Sequence, residues 1–446
     1  MQSMFGIKAV RSCLFAFPGY CITFYFGNWL NSPSCFWSLS ADLSAGRSGW
    51  PVIAAAEDYW EARTVCLDPY WVNQWMKHYD FGLIKRGFLG AILKIFAGDQ
   101  VNVLLLNLLF FVLGFALISA MVLAIRSVSP LRGGSLALFA FLISVSPVTK
   151  VIVETAGDPL HVIVLLCFLT VFIGSLLPAS VLWFRPWLFG GSFVIANLIY
   201  EGSYLLLLPF LFIDRKLDFP RVFCLVVSTC LLLSFSRPEV ATLGAKIAGE
   251  FHVFNPANGL HWAYRDGGGI ASSVGFMFNI NQEFTKYLQE PLASLFRASR
   301  SFVPSFSVLL ILDSLMRWRS LRASTMFARE SALIVAVGLP FFLITHDWFR
   351  YGMFVIYMAL IVVYYRCGLP SDAGGSSINR SVIFPSAAWV CFVPLVALVM
   401  VGPLTADLRT GFPEHLFPGS LLVLLLACLA RIWSGVRCKA TLQFNG

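Results

Sequence analysis

The sequence predicts an all-α integral membrane protein of about twelve transmembrane helices, with both termini cytoplasmic and two long external loops. Three observations predict it. The 446 residues are 58% hydrophobic and only 12% charged, with mean hydropathy +0.78. Soluble domains carry about 25% charged residues, and a water-soluble core could not hide this much apolar surface. Apolar runs of span length recur along the chain. Basic residues collect at alternate junctions between these runs, while most of the 23 acidic residues fall on the other side.

A helix needs about 20 apolar residues to cross hydrocarbon, fewer where its local structure is broken. The segments lie near 12–30, 101–125, 134–149, 160–178, 184–199, 202–214, 222–236, 302–316, 331–345, 351–365, 384–403 and 417–434. No run of alternating ten-residue strands is present, so helices must satisfy the backbone in lipid. Lys8 and Arg11 precede the first segment, which lacks a clean small-x-small cleavage site and reads as a retained span. Arg126 and Arg132 follow the second segment, and Arg215, Lys216 and Arg221 the sixth. Arg317, Arg319, Arg322 and Arg329 follow the eighth, Arg366 and Arg380 the tenth. Arg431, Arg437 and Lys439 lie at or beyond the end of the twelfth. The positive-inside rule puts these junctions in the cytoplasm. The junction after the fourth segment has only Arg185.

The chain reads as one polytopic domain, 1–446, with external loops at 31–99 and 237–301. The first loop ends in FGLIKRGFLGAILKIF, too charged to span and suited to a helix lying in the interface. The polar stretch from Gly368 to Arg380 reads as a cytoplasmic linker. A net charge of +9 would suggest nucleic acid in a soluble protein. Here it is explained by cytoplasmic loops and anionic lipid, and no nucleic-acid partner is expected. Cys13, Cys21, Cys167, Cys224, Cys230, Cys391 and Cys428 lie in apolar runs as small hydrophobes. Cys35 and Cys66 share the first external loop, which permits an oxidised pair. No cysteine or histidine spacing points to zinc, and no metal site is expected.

Ionisable groups within or beside spans are costly and call for a reason. Five clusters fall on the outer side. In the first, Asp80 precedes Lys85 and Arg86, with glycines at 82, 87 and 90. Adjacent cations among glycines let a phosphate approach charge and backbone together; the alternative is snorkelling to lipid head groups. The second holds Lys150, Glu154, Asp158-Pro159 and His161. Asp158-Pro159 could simply start the next helix, which would leave Glu154 unexplained. The third is Tyr200-Glu201-Gly202, which divides an apolar run of about 27 residues from Trp187 to Ile213. Both basic flanks of that run read as cytoplasmic, so Glu201 should sit at an outer turn. The fourth is His346-Asp347-Trp348-Phe349-Arg350-Tyr351. Arg350 could bind a phosphate or carboxylate through its planar fork, or pair with Asp347. The fifth, with His252, His261, Arg265-Asp266 and Glu283, is a candidate acceptor-binding lid, or a set of solvated charges.

These features resemble those of polytopic bacterial enzymes of surface-polysaccharide assembly: polyprenyl-linked glycosyltransferases of the GT-C type and repeat-unit polymerases of the Wzy type. The points of resemblance are YDFGLIKRGFLG after the first span, GDP at 157–159, YEG at 200–202 and HDWFRY at 346–351. The paired-acid motif of GT-C enzymes has no clear counterpart, although Glu57-Asp58 could imitate it. The resemblance implies a multi-pass protein of the bacterial inner membrane with its active site facing the periplasm. It implies a polyprenyl (pyro)phosphate-linked glycan donor and a glycan acceptor, with other polysaccharide-assembly proteins as partners. Lys85, Arg86 and Arg350 would bind the donor phosphate. Glu154, Asp158, Glu201 or Asp347 would act as base, and Asp80, His346 and Arg265 would meet the acceptor. No cofactor is expected beyond an optional divalent cation. The rival reading is a lipid-linked-sugar flippase or secondary transporter, for which an internal repeat and midplane charges would be expected. A membrane acyltransferase would need a prominent histidine in a span, and His161 is the candidate.

Overall fold

Apolar sequence with few breakers gives helix over most of the described chain. The structure is a computed structural model that describes residues 13–31, 75, 87–97, 100–155, 157–200, 202–234, 252–254, 289, 291–344, 348–368, 384–401 and 417–444. In chain order the helices are α1 (Ala16–Asn31), α2 (Gly87–Ala97), α3 (Val103–Val128), α4 (Gly133–Ser144), α5 (Pro147–Glu154), α6 (Pro159–Leu176) and α7 (Arg185–Ile199). Next come two single turns, α8 (Ser203–Leu206) and α9 (Leu208–Leu211). They are followed by α10 (Phe219–Ser234), α11 (Pro291–Arg319), α12 (Leu321–Ile344), α13 (Trp348–Val363), α14 (Phe384–Val401) and α15 (Phe417–Phe444).

Among the described residues, four helical stretches are long and apolar enough to cross a membrane: Leu108–Val128, Pro159–Leu176, Ser180–Ile199 and Arg350–Cys367. A fifth is formed if the bent pair α4–α5 is taken as one span. Leu169, Val226, Leu233 and Leu425 are each more than half exposed on their helices. Such surface is stable against lipid and not against water.

Most predicted segments coincide with a helix, with three differences. The segment expected at 202–214 is not a continuous helix. It breaks at Leu207 into α8 and α9, where Pro209 lacks the N–H that would continue the first turn. The segment at 134–149 bends by 50° between α4 and α5, at Pro147. Ser146 and Thr149 both donate to the Ile143 carbonyl at 2.7 and 2.8 Å, and Thr23 of α1 donates to the Ser144 carbonyl at 2.7 Å. Hydroxyls thus satisfy the carbonyls that the bend frees, as a break in an apolar medium requires. Finally, α11 begins at Pro291, inside the stretch read as the second external loop.

The fold is also not purely helical. Gln100–Asn102 (β1) pairs in parallel with His252–Phe254 (β2), joining the two stretches read as external loops.

The helix α13 is the centre of the bundle. It packs on α3, α6, α11 and α12, and every residue from Arg350 to Tyr365 is buried. Its sequence, RYGMFVIYMALIVVYY, is apolar all round, as a helix with neighbours on every side requires. Gly352 permits the close approach of α11, because a Cβ there would lie 2.7 Å from the Ser305 hydroxyl. Arg350 and Arg366 mark the two ends of this helix, about 24 Å apart at 1.5 Å per residue.

Candidate functional site

The polar residues at the Arg350 end of α13 come from four separate parts of the chain. Local sequence places the first of them. Pro159 opens α6 and Asp158 caps it, its Oδ1 accepting from the Leu160 N–H at 2.9 Å. Asp is a favoured cap and Pro a favoured first residue. The capping alternative for Asp158 therefore holds for one of its two oxygens. The other, Oδ2, lies 3.3 Å from Nη1 of Arg350. Asp158 and Arg350 are both buried, at 1% and 7% side-chain exposure.

Arg350 Nη2 donates to the Tyr351 hydroxyl at 2.7 Å, and its guanidinium lies 4.8 Å from that ring's centre. The Tyr351 hydroxyl is also 2.8 Å from that of Tyr200, at the end of α7. Asp158, Arg350, Tyr351 and Tyr200 thus form one buried chain of polar contacts. Its members come from the second, third and fourth clusters read in the sequence.

The turn between α5 and α6 is fixed just as closely. Gly157 has φ +94, a left-handed conformation that side chains avoid, and a Cβ there would lie 2.5 Å from the Phe110 ring. Trp75 packs on Phe110 with ring centres 5.4 Å apart and donates its indole N–H to the Gly157 carbonyl at 2.6 Å. The stretch read as the first external loop therefore touches this turn through Trp75. His161 Nε2 lies 3.3 Å from the Thr155 hydroxyl, which also donates to the Val151 carbonyl at 2.7 Å. His161 is thus a buried histidine with a local partner. Lys150 is likewise buried, on α5.

Of the residues proposed from sequence, the structure brings together Asp158 and Arg350. The backbone of Glu154 forms the last residue of α5, one turn before Asp158. Asp80, Lys85, Arg86, Glu201, Arg265, His346 and Asp347 lie outside the described residues, as do Cys35 and Cys66. Among the described residues, no group of three or more His, Cys, Asp or Glu side chains is gathered in one place. The sequence reading did not single out Tyr200, Tyr351 or Thr155 as site residues. Both tyrosines stand inside the quoted motifs YEG and HDWFRY, so the signal was adjacency alone.

Tyr351→Phe removes the hydroxyl that joins Arg350 to Tyr200 and leaves both partners buried. The expected cost is about 1–3 kcal/mol, read as a lowered unfolding midpoint of the purified protein in detergent. Tyr200→Phe, which leaves the Arg350–Tyr351 contact intact, should cost less.

No family model, curated protein or solved structure matches this chain.

Proposed function

We propose that this protein is a membrane glycosyltransferase or polysaccharide polymerase. It transfers a sugar or oligosaccharide from a polyprenyl (pyro)phosphate to a glycan acceptor on the outer face of a bacterial inner membrane. The observation that carries the reading is the buried Asp158–Arg350 pair. It unites two clusters that the sequence reading assigned to one face, and it sets a carboxylate and a planar cation side by side. Burying both ions is expensive unless the arrangement has a use.

In this reading Arg350, with Lys85 and Arg86, binds the donor phosphates and stabilises the leaving group. Asp158 fixes the orientation of the guanidinium. The acceptor hydroxyl attacks the anomeric carbon, the carbon–oxygen bond to the polyprenyl (pyro)phosphate breaks, and a carboxylate takes the hydroxyl proton. Glu154, Glu201, Asp347 and Asp158 itself are the candidate bases. Asp80, His346 and Arg265 are the candidate acceptor contacts.

The test is complementation of a deletion strain with wild type, Asp158→Asn and Arg350→Lys, each checked for its level in the membrane. Asn keeps a capping oxygen while removing the charge. Lys keeps the charge while losing the fork. Both variants should abolish surface polysaccharide. Outward-facing lipid-linked repeat units should then accumulate if the protein is a polymerase, and repeats lacking one sugar if it is a single-sugar transferase. Inward-facing intermediates would point instead to a flippase. Normal polymer in both variants would rule out the site.

A further inference from the structure

At the Arg366 end of α13 a second polar assembly lines a cavity of about 570 Å³. Its walls are Ile213, Asp214, Arg215, Arg322, Thr325, Met326, Arg329 and Arg366. Four arginines thus face one space with a single carboxylate in the lining, and that carboxylate is already occupied. Asp214 meets Arg221 at 2.6 Å, and Asp218 meets the same guanidinium at 2.5 Å. The cavity is therefore positive.

A second carboxylate fixes the geometry from behind. Glu330 is buried at 3% exposure, and one of its oxygens, Oε1, lies 3.3 Å from Arg215, 2.7 Å from Arg329 and 2.9 Å from Arg366. Arg366 also donates through Nε to the Ile213 carbonyl at 2.8 Å. Three guanidinium groups from three separate segments are thus held together by one anion. Arginines that served only to mark the cytoplasmic side would spread into solvent or lipid head groups.

Two backbone features add to this. Arg215 is the one non-glycine residue with positive φ among those described, at 57°. Arg366 sits in a π turn, Tyr364–Gly368. Strained backbone and π turns both concentrate at functional sites.

The fourth arginine differs from the rest. Arg322 is exposed to the cavity and makes no ion pair among the described residues. Its planar fork is available to an oxyanion.

We propose that the Arg215–Arg322–Arg329–Arg366 cavity binds a phosphate-bearing ligand, with Arg322 as the direct contact and Glu330 as the anchor that positions the other three. The ligand chemistry is a phosphate ester or diphosphate, carried either by a lipid headgroup or by a soluble molecule. The site lies at the opposite end of α13 from Asp158–Arg350 and does not depend on that site's proposed reaction.

The full chain, purified in detergent, is titrated calorimetrically with inorganic pyrophosphate. It is also placed in nanodiscs of phosphatidylglycerol or phosphatidylcholine and examined for retained lipid by native mass spectrometry. Arg322→Gln and Arg322→Gln/Arg329→Gln are compared with wild type, and the unfolding midpoint of Arg322→Gln should match wild type. Pyrophosphate binding weakened about tenfold by Arg322→Gln, and further by the double variant, assigns a soluble phosphate ligand. Absence of pyrophosphate binding with phosphatidylglycerol retained by wild type and lost from the variants assigns a lipid headgroup. Failure to bind either probe, or binding that both variants leave unchanged, overturns the proposal.

Discussion

Replacing Arg350 by methionine should lower the stability of the folded protein by about 3–5 kcal/mol. The cause is the carboxylate left behind more than the contact removed. Asp158 is 1% exposed, and its Oδ2 faces Arg350. With the guanidinium gone, that buried charge keeps only the Leu160 N–H on Oδ1 and has no cation beside Oδ2. The Asp158→Asn/Arg350→Met double variant removes both charges while Asn keeps the cap on α6. It should recover most of the loss, because deleting a whole buried pair is often close to neutral. The unfolding midpoints of wild type, both single variants and the double variant form the cycle that isolates the pair. Additive losses in the double variant would show that the two residues do not interact. The double variant also separates stability from activity: a protein restored in midpoint yet still unable to support polymer would assign the pair to function.

Gly157→Ala should cost about 2–6 kcal/mol, from two independent sources. A non-glycine residue held at φ +94 is strained by about 1–3 kcal/mol. The added methyl group would lie 2.5 Å from the Phe110 ring, and forcing an extra carbon into a packed site costs a further 1–3 kcal/mol or so. The ring has little room to retreat, because Trp75 packs on it. Phe110→Leu in the Gly157→Ala background should return the packing part and leave the backbone part. Gly134→Ala is the control, since nothing lies within 4 Å of its added carbon. That change should be neutral or slightly stabilising, because alanine has less conformational freedom to lose. Equal midpoints for Gly157→Ala and Gly134→Ala would contradict the described turn. Because Gly157 carries the carbonyl that Trp75 holds and precedes Asp158 directly, the Gly157→Ala variant should also disturb the Asp158–Arg350 pair.

Some of this architecture was legible in the chain because it depends on near neighbours. The positions of α1, α3, α6, α7, α10 and α13 follow from runs of apolar residues bounded by polar ones. The start of α6 follows from Asp158-Pro159, a signal two residues long. The break in the 202–214 segment was less legible. Its composition is that of a short span, and only the position of Pro209 argues for two turns.

The acidic residues read as cytoplasmic show how far the charge pattern extends. Five acidic residues fall on the side read as cytoplasmic: Asp214, Asp218, Asp313, Glu330 and Asp372. Four of them lie in the described residues, and each is paired with an arginine from a junction assigned to that same side. Asp214 and Asp218 meet Arg221, Glu330 meets Arg215, Arg329 and Arg366, and Asp313 meets Arg431. Arg185, the lone basic residue of the weakest junction, donates to the Tyr365 hydroxyl beside Arg366. The charge pattern predicted which groups share an end of the bundle. It did not predict that Glu330 would gather three of them.

The sequence alone determined the membrane character, the helical segments and the separation of acidic from basic junctions. These depend on composition, periodicity and the few residues around each helix end, where the physics is local. Only the tertiary structure decided that Arg350 pairs with Asp158; a pairing of Arg350 with Asp347 lies outside the described residues. The tertiary structure also decided that Tyr200 and Tyr351 meet across 151 positions of chain, and that Trp75 closes the turn at Gly157. Those contacts depend on which helices lie side by side. Helix order is the sum of many weak packing contacts, such as α13 enclosed by α3, α6, α11 and α12, and no short stretch of sequence carries that sum.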